Sequence, residues 1–186
     1  MRRVLSGVAG VSGVAALLVL GLSCGAAANG GAYPAGIPRG VRVDRIVVHK
    51  GDHLMEAWSG DTLVRTYEVA VGYGGIGPKR FEGDGRTPEG TYRIDSRHRS
   101  RSFQRFIHVS YPNGEDRRRY RRLRREGEVP EGAGIGGDIG IHGYPEGWAA
   151  IRRLFDWTAG CIAVDNDEIE ELYRAVAPGA VIEILP

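Results

Sequence analysis

The sequence predicts a mainly β domain. Short runs in which apolar and polar residues alternate recur from Val41 onward, Gly- and Pro-rich turns separate them, and a sustained helical period appears only after Asp165. With 186 residues the chain has room for a leader and one core-bearing domain, and not for two such domains.

Arg2 and Arg3 form a basic tip ahead of Val4 to Leu22, a run of small and apolar residues without a charge. That profile predicts a signal peptide over residues 1–28 and an exported protein, periplasmic or held in the cell envelope. Four glycines inside the run and the absence of stop-transfer charges weigh against a membrane-spanning helix. Ala26-Ala27-Ala28 offers an A-x-A cleavage site, which would release a soluble form starting at Asn29. Leu22-Ser23-Cys24-Gly25 resembles a lipobox, and its use would lipidate Cys24 and give the protein a membrane anchor. Gly21 stands where a lipobox usually has Leu, and cleavage after Ala28 is the expectation. Removing the leader takes two arginines and no acid, which leaves 23 basic against 23 acidic residues. A neutral domain has no global field to draw it to nucleic acid.

Residues 29–40 are mainly Gly, Ala and Pro with one aromatic, a composition that reads as a flexible tether. The folded domain is then expected over residues 41–186. Val43 to His49, Leu54 to Trp58 and the face Leu63-Arg65-Tyr67-Val69-Val71 predict three strands of an antiparallel meander. Gly72 to Gly90 reads as a long surface loop, and strands resume at Thr91 to Ile94 and Phe106 to Ser110. Arg117 to Arg125 holds seven arginines in nine residues. The plain reading is a solvated helix whose field the flanking acids neutralise; contact with anionic wall polymer or lipid headgroups is the functional one. Asp165 and Glu168 have capping-box spacing, and Ile169, Leu172, Tyr173 and Val176 form one face of a helix that Pro178-Gly179 ends. Val181 to Leu185 closes the domain as a strand.

Loss of Cys24 to the leader makes Cys161 the one thiol of the mature chain, and a lone thiol in an exported protein is a flag for reactivity. A thiol attacks a carbonyl as thiolate, so it needs a base nearby. His142 ends the strand-like Ile139-Gly140-Ile141-His142 and is the candidate general base and acid. Gly160 directly before the cysteine lets backbone approach, which makes the N–H groups of Gly160 and Cys161 candidate oxyanion donors. The carbonyl of Gly143 is a candidate to hold the imidazole tautomer. The other histidines lack zinc-site company, His108 reads as a packed strand residue, and neither metal nor cofactor is expected.

His142-Gly143, then Thr158-x-Gly160-Cys161-Ile162-x-Val164-x-Asn166, resembles the signature of the L,D-transpeptidase catalytic domain family, YkuD. Gly83-Asp84-Gly85-Arg86-Thr87-Pro88-Glu89-Gly90 and the closing Gly179 to Ile184 extend the resemblance across most of residues 43–185. Asp156 to Val164 and Ile107 to Asn113 look most like its ErfK/YafK branch. The resemblance implies a β-sandwich-like fold with one C-terminal helix and one or two short helices in insertions. It also implies attack by Cys161 on the third residue of a tetrapeptide stem of peptidoglycan, with Thr158 positioning the nucleophile loop. The thioester would pass to an amine of another wall peptide or of a wall-attached protein. Two positions depart from the common pattern: Ala159 stands where many members have His, and Ala163 where they have Arg or Asn. Hydrolysis of the same linkage is therefore an alternative outcome, and a wall-binding domain without catalysis is a third.

Overall fold

The computed structural model describes residues 36–148 and 156–186. The leader, the choice of cleavage site, Cys24 and the tether up to residue 35 lie outside the described residues.

Strands β1 (Val43–His49), β2 (Leu54–Ser59) and β3 (Thr62–Glu68) form the expected antiparallel meander. The last strand, β8 (Val176–Leu185), runs parallel to β1 on one side and antiparallel to β4 (Gly90–Ser100) on the other. Only the start of β4, Gly90 to Arg93, pairs with β8. From Ile94 to Ser100 it pairs with β5 (Gln104–Val109), and the register shifts between Ile94 and Ser96. Then follow β6 (Gly140–His142) and β7 (Ile162–Ala163), so the order is β3-β2-β1-β8-β4-β5-β6-β7. The sheet curls through β4, and its two halves face one core containing Ile46, Ile182 and Ile184 from one side and Ile107, Ile141 and Ile162 from the other. That is the sandwich-like arrangement expected.

Two helices complete the described fold. α1 (Gly114–Arg125) lies in the insertion between β5 and β6, capped by Asn113, whose side chain accepts from the Glu115 and Asp116 amides. α2 (Asn166–Ala175) starts at Asp165 through the predicted capping box and buries Ile169 and Leu172. It ends before Val176, which the sequence placed on the helical face. Val176 instead opens β8 opposite Val43: Pro178 disfavours helix at Ala177, so the helix has to end by there, and the apolar Val176 side chain is buried either way. β4 is longer than expected. Asp95 to Arg99 are exposed on both faces, so the apolar pattern stops there while the backbone ladder continues. Ile37, placed by composition in the tether, is only 8% exposed and packs on the core, so ordered packing begins ahead of Val41.

The 72–90 loop is fastened from beneath by lysines. Lys50, 6% exposed, donates to the carbonyls of Gly77 and Thr87, each at 3.0 Å, and to Glu89 Oε1 at 2.8 Å. Lys79, equally hidden, meets Asp84 Oδ1 at 2.7 Å, and the same carboxylate accepts from the Arg80 and Arg86 amides. Burial alone would raise the Asp84 carboxyl, but these donors and the Lys79 charge outweigh it and hold it below the usual range. Replacing Lys50 with Met strands Glu89 and two carbonyls. The expected loss is about 3 kcal/mol, the low end for a broken buried pair because Glu89 keeps some solvent. Urea titration checks it; a loss below about 1 kcal/mol would place the pair in the class of surface bridges.

Candidate active site

The β6–β7 ladder is parallel, with Ile141 opposite Ile162 and His142 opposite Ala163. Side chains alternate along a strand, so the two isoleucines share the core face, where both are fully buried. His142 and Ala163 share the other face. Cys161 stands two residues before Ala163 and therefore also lies on that face, diagonal to the imidazole. The residue beside it across the ladder is Gly140, where a Cβ would come within 2.4 Å of the Phe106 ring and 2.7 Å of the Ile107 carbonyl. A side chain there would collide with β5.

His142 is 2% exposed. Its Nδ1 lies 2.7 Å from the Gly143 carbonyl. A carbonyl only accepts, so Nδ1 carries the proton and Nε2 of the neutral ring keeps its lone pair. Phe103 stacks on the imidazole at 4.2 Å between centroids, Phe106 lies nearly parallel at 6.0 Å, and Trp157 meets it edge-on at 5.6 Å. Burial lowers the His142 pKa, and the Gly143 carbonyl offsets part of that effect. Gly143 is itself confined: a Cβ would lie 2.4 Å from Asn166 Oδ1 and 3.0 Å from the Phe103 carbonyl. The Gly143 amide donates to that carbonyl, and Asn166 Oδ1 accepts from the Tyr144 amide.

Cys161 donates from Sγ to the Asp138 carbonyl at 3.4 Å. Burial pushes its pKa up to about 11, against a hydrogen bond from the Gly140 amide and the charge of Lys79, while the Asp138 carboxylate adds to the rise. The resting pair is therefore neutral thiol and neutral imidazole. The cysteine loop is tightly tied: Thr158 Oγ1 donates to the Cys161 carbonyl at 2.6 Å and accepts from the Gly160 amide at 3.2 Å. Gly160 has φ +134°, and a Cβ there would lie 2.7 Å from the Arg86 carbonyl, so only glycine fits. Its amide, expected as an oxyanion donor, faces the Thr158 hydroxyl in this conformation.

The loop is held from outside by the segment after β3. Ala70 and Ala163 exchange backbone hydrogen bonds at 3.0 and 2.8 Å, and Thr158 bonds to Val71 and Tyr73. Asp156 anchors this arrangement, accepting from the Val71 amide at 2.9 Å and meeting His53 Nε2 at 3.1 Å. Thr87, 1% exposed, accepts from the Gly72 amide. Sequence reasoning brought Cys161, His142, Gly143, Thr158 and Gly160 to this place but assigned nothing to Phe103, Asp138 or Lys50. It quoted Asp156 and Thr87 inside motifs without giving them a task. His108 is on β5, paired with Asp95 at 2.6 Å and not offered to the thiol.

A half-buried thiol and a neutral imidazole on one face of a parallel ladder, behind a tightly closed glycine turn, make a site suited to acyl transfer through sulfur. The model of the L,D-transpeptidase catalytic domain family, YkuD, matches residues 43–184, and the chain belongs to that family. YafK of Escherichia coli (strain K12) is 28% identical over 127 residues, which are 64% of this chain and 39% of YafK. The helical cell shape determining protein Pgp2 from Campylobacter jejuni shares the fold at TM-score 0.54 and 24% identity, over 78% of this chain and 48% of that one. L,D-transpeptidase 3 from Mycobacterium tuberculosis, solved with a faropenem-derived adduct, aligns at TM-score 0.50 and 15% identity, over 76% and 60%. The chain thus spans less than half the length of YafK and of Pgp2.

Two measurements probe the electrostatics. With the thiol pKa raised to about 11, the thiolate is scarce at neutral pH. Alkylation of Cys161 by iodoacetamide, followed by intact mass, should climb about tenfold per pH unit from pH 8 to 10; a plateau near pH 8 would contradict the neutral pair. Phe103→Ala admits water to the imidazole, so the His142 pKa, read by NMR, should rise toward its ordinary value.

Proposed function

We propose that this domain is a cysteine acyl transferase of the cell envelope that exchanges the terminus of peptidoglycan stem peptides. The observation that carries the reading is the shared face of Cys161 and His142 in a chain of the L,D-transpeptidase family. Because both groups rest neutral, Nε2 of His142 takes the thiol proton as sulfur attacks, rather than waiting beside a preformed thiolate. The carbonyl attacked is that of the third stem residue. As the tetrahedral centre collapses, the C–N bond breaks and His142 returns the proton to the departing D-alanine amine. The thioester then reacts with an acceptor amine, which loses its proton to His142, and the thiol is restored.

The developing oxyanion needs backbone donors close to the sulfur. The Cys161 amide is the first of these. The Gly160 amide joins it only by leaving Thr158 Oγ1, so Thr158 holds the turn in readiness and the Gly143 carbonyl keeps the imidazole tautomer. Ala163 is fully buried against Ala70, so the position that often carries a polar group in relatives serves packing in this chain. Acceptor choice therefore rests on other walls of the cleft.

Incubation of the full chain with a disaccharide tetrapeptide and excess glycine tests the reading by mass spectrometry. Loss of alanine with gain of glycine is expected, and release of the free acid alone would make the enzyme a hydrolase. Cys161→Ser should lower the exchange rate by at least about 10³-fold. Faropenem should add to the wild-type chain and not to that variant; absence of any adduct and any product together would favour a wall-binding domain.

A further inference from the structure

We propose that the outer face of α1 is an electrostatic docking surface for a membrane rich in anionic phospholipid. At 100° per residue, Arg117, Arg118, Arg121, Arg122, Arg124 and Arg125 fall within an arc of about 160°, and all six are exposed. The inward face consists of Asp116, Arg119, Tyr120 and Leu123: Leu123 is buried, Tyr120 donates to the Ala133 carbonyl, and Asp116 accepts from Tyr92.

Of the acids flanking the run, Glu126 alone pairs with an arginine of the arc among the described residues, and the others that pair do so off it. Glu115 and Asp116 both pair with Arg119, Glu126 lies 3.9 Å from Arg122, and Glu128 pairs with Arg80. Arg117, Arg118, Arg121, Arg124 and Arg125 have no carboxylate partner among the described residues. Five free guanidinium groups thus share one side of a twelve-residue helix. Between them runs an open groove of about 500 Å³ lined by Arg118, Arg121, Arg122 and Arg125 with Glu115 and Arg119.

Two features suit lipid headgroups as the occupant. Every cation in the run is arginine, whose planar fork grips phosphate oxygens two at a time where lysine acts as a point charge. The arc holds no apolar residue, so the helix is fitted to lie on headgroups and not to enter the acyl region, as an inserting amphipathic helix does. A second exposed cation set is not needed: each arginine near an anionic bilayer strengthens partitioning about fivefold.

The test is sedimentation of the full chain with phosphatidylcholine vesicles, with and without added phosphatidylglycerol. Binding to the neutral vesicles reports the N-terminal segment, and the increment on anionic vesicles reports α1. The increment should vanish between about 0.05 and 0.5 M salt. It should fall about 25-fold in Arg121→Gln/Arg125→Gln, and disappear when Arg117, Arg118 and Arg124 are also changed to Gln. Circular dichroism and Cys161 alkylation verify that each variant is folded, and the double variant decides if the fivefold one is not. An increment unchanged by the substitutions, or one that survives high salt, overturns the proposal. So does arginine-dependent binding to soluble polyphosphate that is tighter than binding to the anionic vesicles, which would assign the face to a phosphate polymer.

Discussion

Strands turn alternate side chains to opposite faces, and in this protein that period of two decides where the chemistry stands. One register between β6 and β7 places two isoleucines in the core and turns His142 and Ala163 to the opposite face, the face on which alternation sets Cys161. A slip by one residue would bury His142 among the core isoleucines and expel Ile162. A ladder of two residue pairs cannot hold such a register by its own hydrogen bonds. The surrounding fastenings are therefore part of the site: Ala70 on Ala163, Asp156 on Val71, Asn166 on the amide of Tyr144.

The same enclosure governs the electrostatics. Phe103, Phe106 and Trp157 remove water from the imidazole, and burial of the loop removes it from the thiol. Desolvation moves the two pKa values apart, since it raises an acid that ionises to an anion and lowers one that is charged when protonated. The thiol at rest is consequently a weak nucleophile at neutral pH, and its reactivity grows as the pH rises.

The parts of this design that the sequence exposes are those whose signal is local. Alternation marks the meander, a capping box marks the start of α2, and short strings mark Cys161 and His142. Val176 was placed in the helix because a buried valine satisfies either period. The second half of β4 escaped notice because a strand exposed on both faces has no apolar pattern. Lys50 and Asp156 were silent for a different reason. Their partners are 39 and 85 residues away, at Glu89 and Val71, and nothing near a lysine or an aspartate announces that the fold will bury it against a distant backbone. Phe103 likewise reads as one aromatic in a basic turn until the hairpin brings it over His142.

The position of β8 reaches beyond the site. It is the final strand in sequence, yet it lies at the middle of the sheet, joining β1 on one side to β4 on the other. The two halves of the molecule therefore have no shared ladder until residues 176–185 are in place. The β1–β2–β3 meander is built from local pairings and can close early, whereas its junction with the β4 half waits on the non-local pairing of β1 with β8, the slow kind of contact in folding.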